Sequence, residues 1–244
     1  MSKILEKLQR ISSGRSQPMG FRAAATIVKG PSMVLIAALN KGDAASAGES
    51  ADAVLFPGGK LKEGSLGKIV ASLGDLPWGV SVEEATGEEL SQLKEMGCDF
   101  LVFNAARAPL ALLREEEMGK IVEIEPSLAD GLVRAIEQLP IDAVLIGEEG
   151  ELSIHRLMVC QRLANLVRKP LVALAPIAMS QEELQGLFEA GVVGVVVKLE
   201  GSAEELSKLR QAIEGLPSFR RRKARVQPLL PYAVEEITEP EEEY

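Results

Sequence analysis

Apolar and polar positions fall in blocks along this chain. Four short apolar strands each follow an acidic or small turn: Ala51-Asp52-Ala53-Val54-Leu55-Phe56, Cys98-Asp99-Phe100-Leu101-Val102-Phe103, Ile141-Asp142-Ala143-Val144-Leu145-Ile146, and Val193-Gly194-Val195-Val196-Val197. Between them lie four more apolar runs, over 33–39, 78–82, 120–125 and 171–175. Runs that are apolar throughout, rather than alternating, read as strands covered on both faces. Each is followed by a stretch with helical periodicity. The pattern predicts an α/β fold, a single (β/α)8 TIM barrel over 31–216 whose βα units repeat in pairs. A helical extension and loop (1–30) precede it and a charged tail (217–244) follows. A barrel of this kind carries its site at the C-terminal ends of the strands.

The helix starts are marked by side chains that satisfy free backbone N–H groups. Thr86 with Glu89, Ser180 with Glu183 and Ser202 with Glu205 have capping-box spacing. Amphipathic segments follow at 88–96 and 181–190, and Gly97 and Gly191 stand where a glycine ends a helix. Pro77 and Pro170 precede strands, where the missing N–H costs no ladder bond. At the N-terminus, Ile4, Leu5, Leu8 and Ile11 share one face of a helix over 3–11. That face predicts a lid on the barrel bottom or on a neighbouring subunit. Lys3, Lys7 and Arg10 admit contact with a membrane surface as the alternative.

Composition narrows the function classes. The 244 residues match one barrel, and 46% hydrophobic residues suffice for one large core. A net charge of −9 argues against nucleic-acid binding by charge. No apolar run reaches the ~20 residues that span a bilayer. Cys98 and Cys160 are far apart, without metal-ligand spacing, and read as buried free thiols of a cytoplasmic protein. The basic run 219–225 and the acidic end that follows it read as a solvated tail.

Polar residues at the predicted strand ends are few: Asn40, Lys41, the Gly58-Gly59-Lys60 turn, Ser81, Glu83, Asn104, Glu123, Glu125, Glu148, Glu149, Glu151, Lys198 and Glu200. His155 and Arg156 read as a solvated helix start, and Trp78 as core. Strand 5 is unusual. Glu123 and Glu125 share a face, Val122 and Ile124 the other, so both carboxylates are expected to point into the barrel. A carboxylate there needs a partner, and Lys198, which interrupts the valines of strand 8, supplies one. The set reads either as a buried ion pair or as a site, with Glu125 a metal ligand or Lys198 a Schiff-base lysine. Proximity to carboxylates holds a lysine charged, which argues against the Schiff base.

The stretch 122–147, with the loop Gly147-Glu-Glu-Gly-Glu-Leu-Ser153, resembles the metal-dependent 2-oxo acid aldolases and citrate lyase-like barrels. Their strand 5 ends in Ile-Glu, and strand 6 is followed by a loop with Asp-Leu-Ser. The resemblance implies that Glu125 and Glu151 bind Mg²⁺ or Mn²⁺, which polarises an oxo acid and its enolate. The His that the family places near the end of strand 2 and its Arg at the end of strand 3 are replaced here by Phe56-Pro57-Gly58 and Val80-Ser81-Val82. The segment 180–202 resembles the last two units of phosphate-binding barrels, which implies an anion at Gly201 and Ser202 beside Lys198.

Two functional classes follow. One is a lyase or aldolase-like enzyme for a small carboxylate or phosphorylated metabolite. Glu125 and Glu151 would hold the cation and Lys198 would neutralise the substrate, with Asn40, Ser81 and Asn104 orienting it. The other is a barrel without catalysis that serves as a binding or scaffold module through 3–11 and 219–225. A homo-oligomer fits either.

Overall fold

The computed structural model describes residues 2–14, 33–39, 50–58, 66–83, 86–147, 150–199 and 203–216. Asn40, Gly201, Ser202, the Ser202–Glu205 box and the 219–225 run therefore lie outside the described residues, wholly or in part. Eight parallel strands close into a barrel in chain order. They are β1 (Val34–Leu39), β2 (Ala53–Pro57), β3 (Trp78–Val82), β4 (Phe100–Asn104), β5 (Gly119–Ile124), β6 (Ala143–Ile146), β7 (Leu171–Ala175) and β8 (Val192–Leu199). The described helices are α1 (Lys3–Gly14), α2 (Leu66–Ser72), α3 (Gly87–Glu95), α4 (Asp130–Ala135), α5 (Ile154–Leu166), α6 (Gln181–Glu189) and α7 (Ala203–Glu214). Between β4 and β5 the described residues form a 3-10 turn (Leu110–Arg114) in place of an α-helix. Complete capping boxes form at Thr86 and Ser180, and Gly97 and Gly191 take φ of 81° and 104°.

The strand pleat divides the apolar residues into two cores. Val80, Leu101, Val122 and Val144 face outward under the helices. Ile36, Leu55, Val102, Ile121, Leu145 and Val196 fill the lumen. Phe100 is the large filler. It lies where a Cβ on Gly79 would fall 2.5 Å from its ring, so a glycine on β3 makes room for an aromatic on β4. Trp78 is core, as expected, with its ring edge-on to Phe56 at 6.2 Å and 63°.

Helix α1 closes the N-terminal end of this lumen. Ile4, Leu5 and Leu8 are 0%, 6% and 0% exposed and belong to the lumen cluster rather than to the outer one. Two glycines let the helix approach: a Cβ on Gly119 would meet Leu5 at 2.6 Å, and one on Gly194 would meet Leu8 at 3.1 Å. The apolar face that a surface or partner would need is thus turned inward. Of the readings for 3–11, the lid on the barrel bottom holds.

The acidic turns that recur before the even strands serve this same end. The Asp99 carboxylate accepts from Ser2 Oγ (2.7 Å), Lys3 N (2.7 Å) and Ile4 N (3.0 Å), capping the first turn of α1. Asp52 accepts from Leu35 N (3.0 Å), Lys7 Nζ (3.1 Å) and Arg210 Nη1 (2.8 Å), tying β1, α1 and α7 to one carboxylate. Asp142 accepts from Lys120 N at 2.8 Å. Each aspartate sits just before an even strand and satisfies backbone amides left open, those of α1 for Asp99 and those of strand starts for Asp52 and Asp142.

Cys98 and Cys160 are both buried and free. Burial pushes the Cys98 thiol up to about 12. The folded state therefore favours the neutral thiol. Stability is full below the ordinary thiol value of 9.0 and falls as pH climbs from there toward about 12. Cys98 should be unreactive to a disulfide reagent at pH 8 until denaturant is added, which a thiol count checks. Leu8→Ala should cost about 2–5 kcal/mol in urea unfolding, because the cavity opens at the sealed end of the lumen.

Candidate functional site

The top of the lumen is where the filling changes character. Continuing the inward positions to the C-terminal ends of the strands leads to Ser81 on β3, Asn104 on β4, Glu123 on β5 and Lys198 on β8. Ser81, Asn104 and Glu123 are half-buried and Lys198 is exposed. Register joins them to their neighbours: Ser81 pairs with Pro57, Asn104 with Glu123, and Ala38 with Lys198. Four sequence-derived candidates thus converge on one mouth above a wholly apolar interior. Asn104 is partly engaged in shaping its loop, since Oδ1 accepts from Ala106 N at 2.9 Å. Gly58 presses against the same rim: a Cβ there would lie 2.4 Å from Ser81 O.

Glu123 and Glu125 part company. Glu123 points inward as its parity requires, and Val122 and Ile124 pack outside. Glu125 does not reach the lumen. The strand ends at Ile124, Pro126 follows, and the chain turns, with Leu128 N donating to Glu125 O at 3.1 Å. Its side chain is exposed on the rim, where Ser127 Oγ donates to Oε2 at 3.4 Å. Glu151 is also exposed, on the next loop. Oxygen donors of this kind suit Mg²⁺ or Mn²⁺, which binds through one or two carboxylates and completes its shell with water and substrate. Among the described residues no three His, Cys, Asp or Glu side chains gather into a closed cage.

Arg156 corrects the expectation of a solvated helix start. His155 is exposed, but Arg156 is 4% exposed. Ser153 caps α5 by accepting from Arg156 N at 3.2 Å. The guanidinium then turns back to donate to Gly150 O at 2.6 Å and to Leu174 O. One side chain so pins the loop after β6 to the tip of β7, the strand without reactive groups of its own. The signal was present in the helical period: Arg156, Cys160 and Leu163 lie on one face, and all three are buried.

A cleft of about 870 Å³ opens at the opposite end of the barrel, with Ser12, Gln161, Asn165 and Arg168 among its walls. Two of its charged groups, Glu137 and Lys169, hold loops. Glu137 Oε1 accepts from Arg168 N (2.6 Å) and Lys169 N (3.3 Å). Lys169 Nζ donates to Leu139 O (2.8 Å) and Ile141 O (2.6 Å), and burial lowers its pKa despite Glu137. Convergent polar side chains single out the mouth instead.

No protein-family model matches the chain, and no curated protein matches it in sequence. In fold the chain is similar to the YdjI aldolase from Escherichia coli K12, with a TM-score of 0.58 and 10% identity over 87% of this chain and 93% of that one. It is also similar to native KDPGal, with a TM-score of 0.55 and 18% identity over 80% and 95%. A mutant tryptophan synthase α-subunit from the hyperthermophile Pyrococcus furiosus shares a TM-score of 0.55 and 16% identity over 75% and 97%. At such identities the likeness is one of fold: this is a TIM barrel resembling those of aldolases. No helix among the described residues is long and apolar enough to cross a membrane.

Arg156→Met should destabilise the fold by about 3 kcal/mol, because it leaves the Gly150 and Leu174 carbonyls without their donors. Hydrogen exchange should show the loss concentrated at 150–156 and the end of β7.

Proposed function

We propose that this barrel is an aldolase-like lyase that makes or breaks a carbon–carbon bond in a small anionic carboxylate or phosphorylated metabolite. The observation that carries the reading is Glu123. A carboxylate is held half-buried at the lumen mouth, at the strand ends where barrel enzymes place their chemistry. Half-burial partly shields the carboxylate from bulk water, which suits proton transfer to or from a carbon acid.

Lys198, three strands away in the barrel order, supplies positive charge for the substrate's anionic group. Asn104 and Ser81 offer an amide and a hydroxyl to orient it. The interior beneath, closed by Leu55, Phe100, Leu145 and Val196, admits no group below the rim, so the substrate is small and lies across the mouth. Glu125 and Glu151 are the residues that would hold a divalent cation. When bound, the cation would stabilise negative charge on an oxo oxygen. Glu123 would exchange the proton at carbon while Lys198 holds the carboxylate or phosphate.

The test is turnover across a panel of 2-oxo acid aldol adducts, with and without Mn²⁺, read as released 2-oxo acid. Glu123→Gln should lower the rate about 100-fold or more with an unchanged melting temperature. Wild-type protein inert across the panel, and showing no Mn²⁺ or oxo acid stabilisation, would sink the reading in favour of a non-catalytic barrel.

A further inference from the structure

Gly147 follows β6 at the mouth and continues its pairing, its N–H donating to Ile124 O at 3.0 Å. Its backbone does not require glycine. Positive φ occurs among the described glycines at Gly74, Gly97, Gly150 and Gly191, and Gly147 is not one of them. Space is what requires it. A Cβ on Gly147 would stand 2.4 Å from Glu123 Oε1, 2.9 Å from Cγ and 3.0 Å from Cδ. The Glu123 side chain thus leaves β5 and lies across the tip of β6, over the bare Cα of Gly147.

We infer that Gly147 is a positioning residue: the side chain it lacks is the space in which the Glu123 carboxylate rests, and this sets where that carboxylate stands in the mouth. The inference rests on the function proposed for Glu123 only in its consequence for catalysis; the geometry stands without it. Three features agree. Register pairs Glu123 with Leu145, two residues before Gly147 and on the same inward parity, so the carboxylate slopes upward along β6. The loop immediately beyond is fastened to β7 by Arg156, so the cradle has a fixed edge. The contact falls on the end of a long side chain, not on backbone, so a methyl group there would displace the carboxylate rather than break the barrel.

The test is a double-mutant cycle on the full chain, with Gly147→Ala made in wild type and in Glu123→Ala. A second readout is the ¹³C-carboxyl resonance of Glu123, identified by its absence from Glu123→Gln. In the wild-type background, Gly147→Ala should shift that resonance, because the carboxylate changes neighbours. It should also lower the melting temperature, and that loss should disappear in Glu123→Ala, where the new methyl group meets nothing. A resonance that stays put, or a melting loss of the same size in both backgrounds, overturns the inference. Should Gly147→Ala fail to fold, recovery of folding in the double variant supports the inference and continued failure overturns it. Neither readout uses substrate. A positive cycle combined with undiminished turnover in Glu123→Gln would therefore dismiss the proposed chemistry while leaving the cradle in place.

Discussion

Filling the lumen is the constraint on which the rest of this protein depends. An eight-stranded barrel has an interior just wide enough for side chains, and any gap there removes contacts on every side at once. Here the interior is filled from below by α1, in the middle by Phe100 beneath the bare face of Gly79, and only at the top by polar groups. The aspartates below the even strands follow from that arrangement. Closing the bottom with a helix leaves its first-turn amides pointing at the barrel rim, and Asp99 meets them. Asp52 draws Lys7 and Arg210 together at the same level.

Polarity is consequently confined to one end. With the lower lumen sealed by aliphatic side chains, the polar inward positions, Glu123, Lys198, Asn104 and Ser81, come only at the strand tips. The same packing that stabilises the barrel forms the floor of the mouth. Arg156 contributes from outside this layer, joining the β6 loop to β7 through backbone carbonyls, so the stiffness of the rim does not depend on loop composition alone.

Much of this was legible in the sequence because it rests on periodicity. All eight strands lie where the apolar runs predict, and Val122 and Ile124 face outward while Glu123 faces in, as alternation requires. Thr86 and Ser180 cap as their spacing implies. The readings that failed turned on where an element stops and which way a long side chain turns. Alternation carried past the end of β5 placed Glu125 in the lumen, but the strand ends one residue earlier and Pro126 redirects the chain. Arg156 was read by its charge and not by its face. The space above Gly147 belongs to no local pattern, since it arises only when β5 and β6 lie side by side. The recurrent acidic turns were plain in the sequence, but their role as caps for α1 and β1 was not. The partners are distant: Asp99 serves Ser2, and Asp52 serves Arg210.

Helix α1 carries a consequence for the order of assembly. It precedes every strand on the ribosome, yet its seat includes Asp99, Gly119 and Gly194, so the seat is complete only when β8 has joined β1. Until then an amphipathic helix with three apolar side chains has no place to bury them. The contacts that seat it span much of the chain, the kind of closure that is slow because its entropy cost precedes its reward. The plug is therefore a final latch rather than a nucleus, and the exposed stripe of α1 during synthesis is where this barrel is most open to misassociation or to a chaperone's grip.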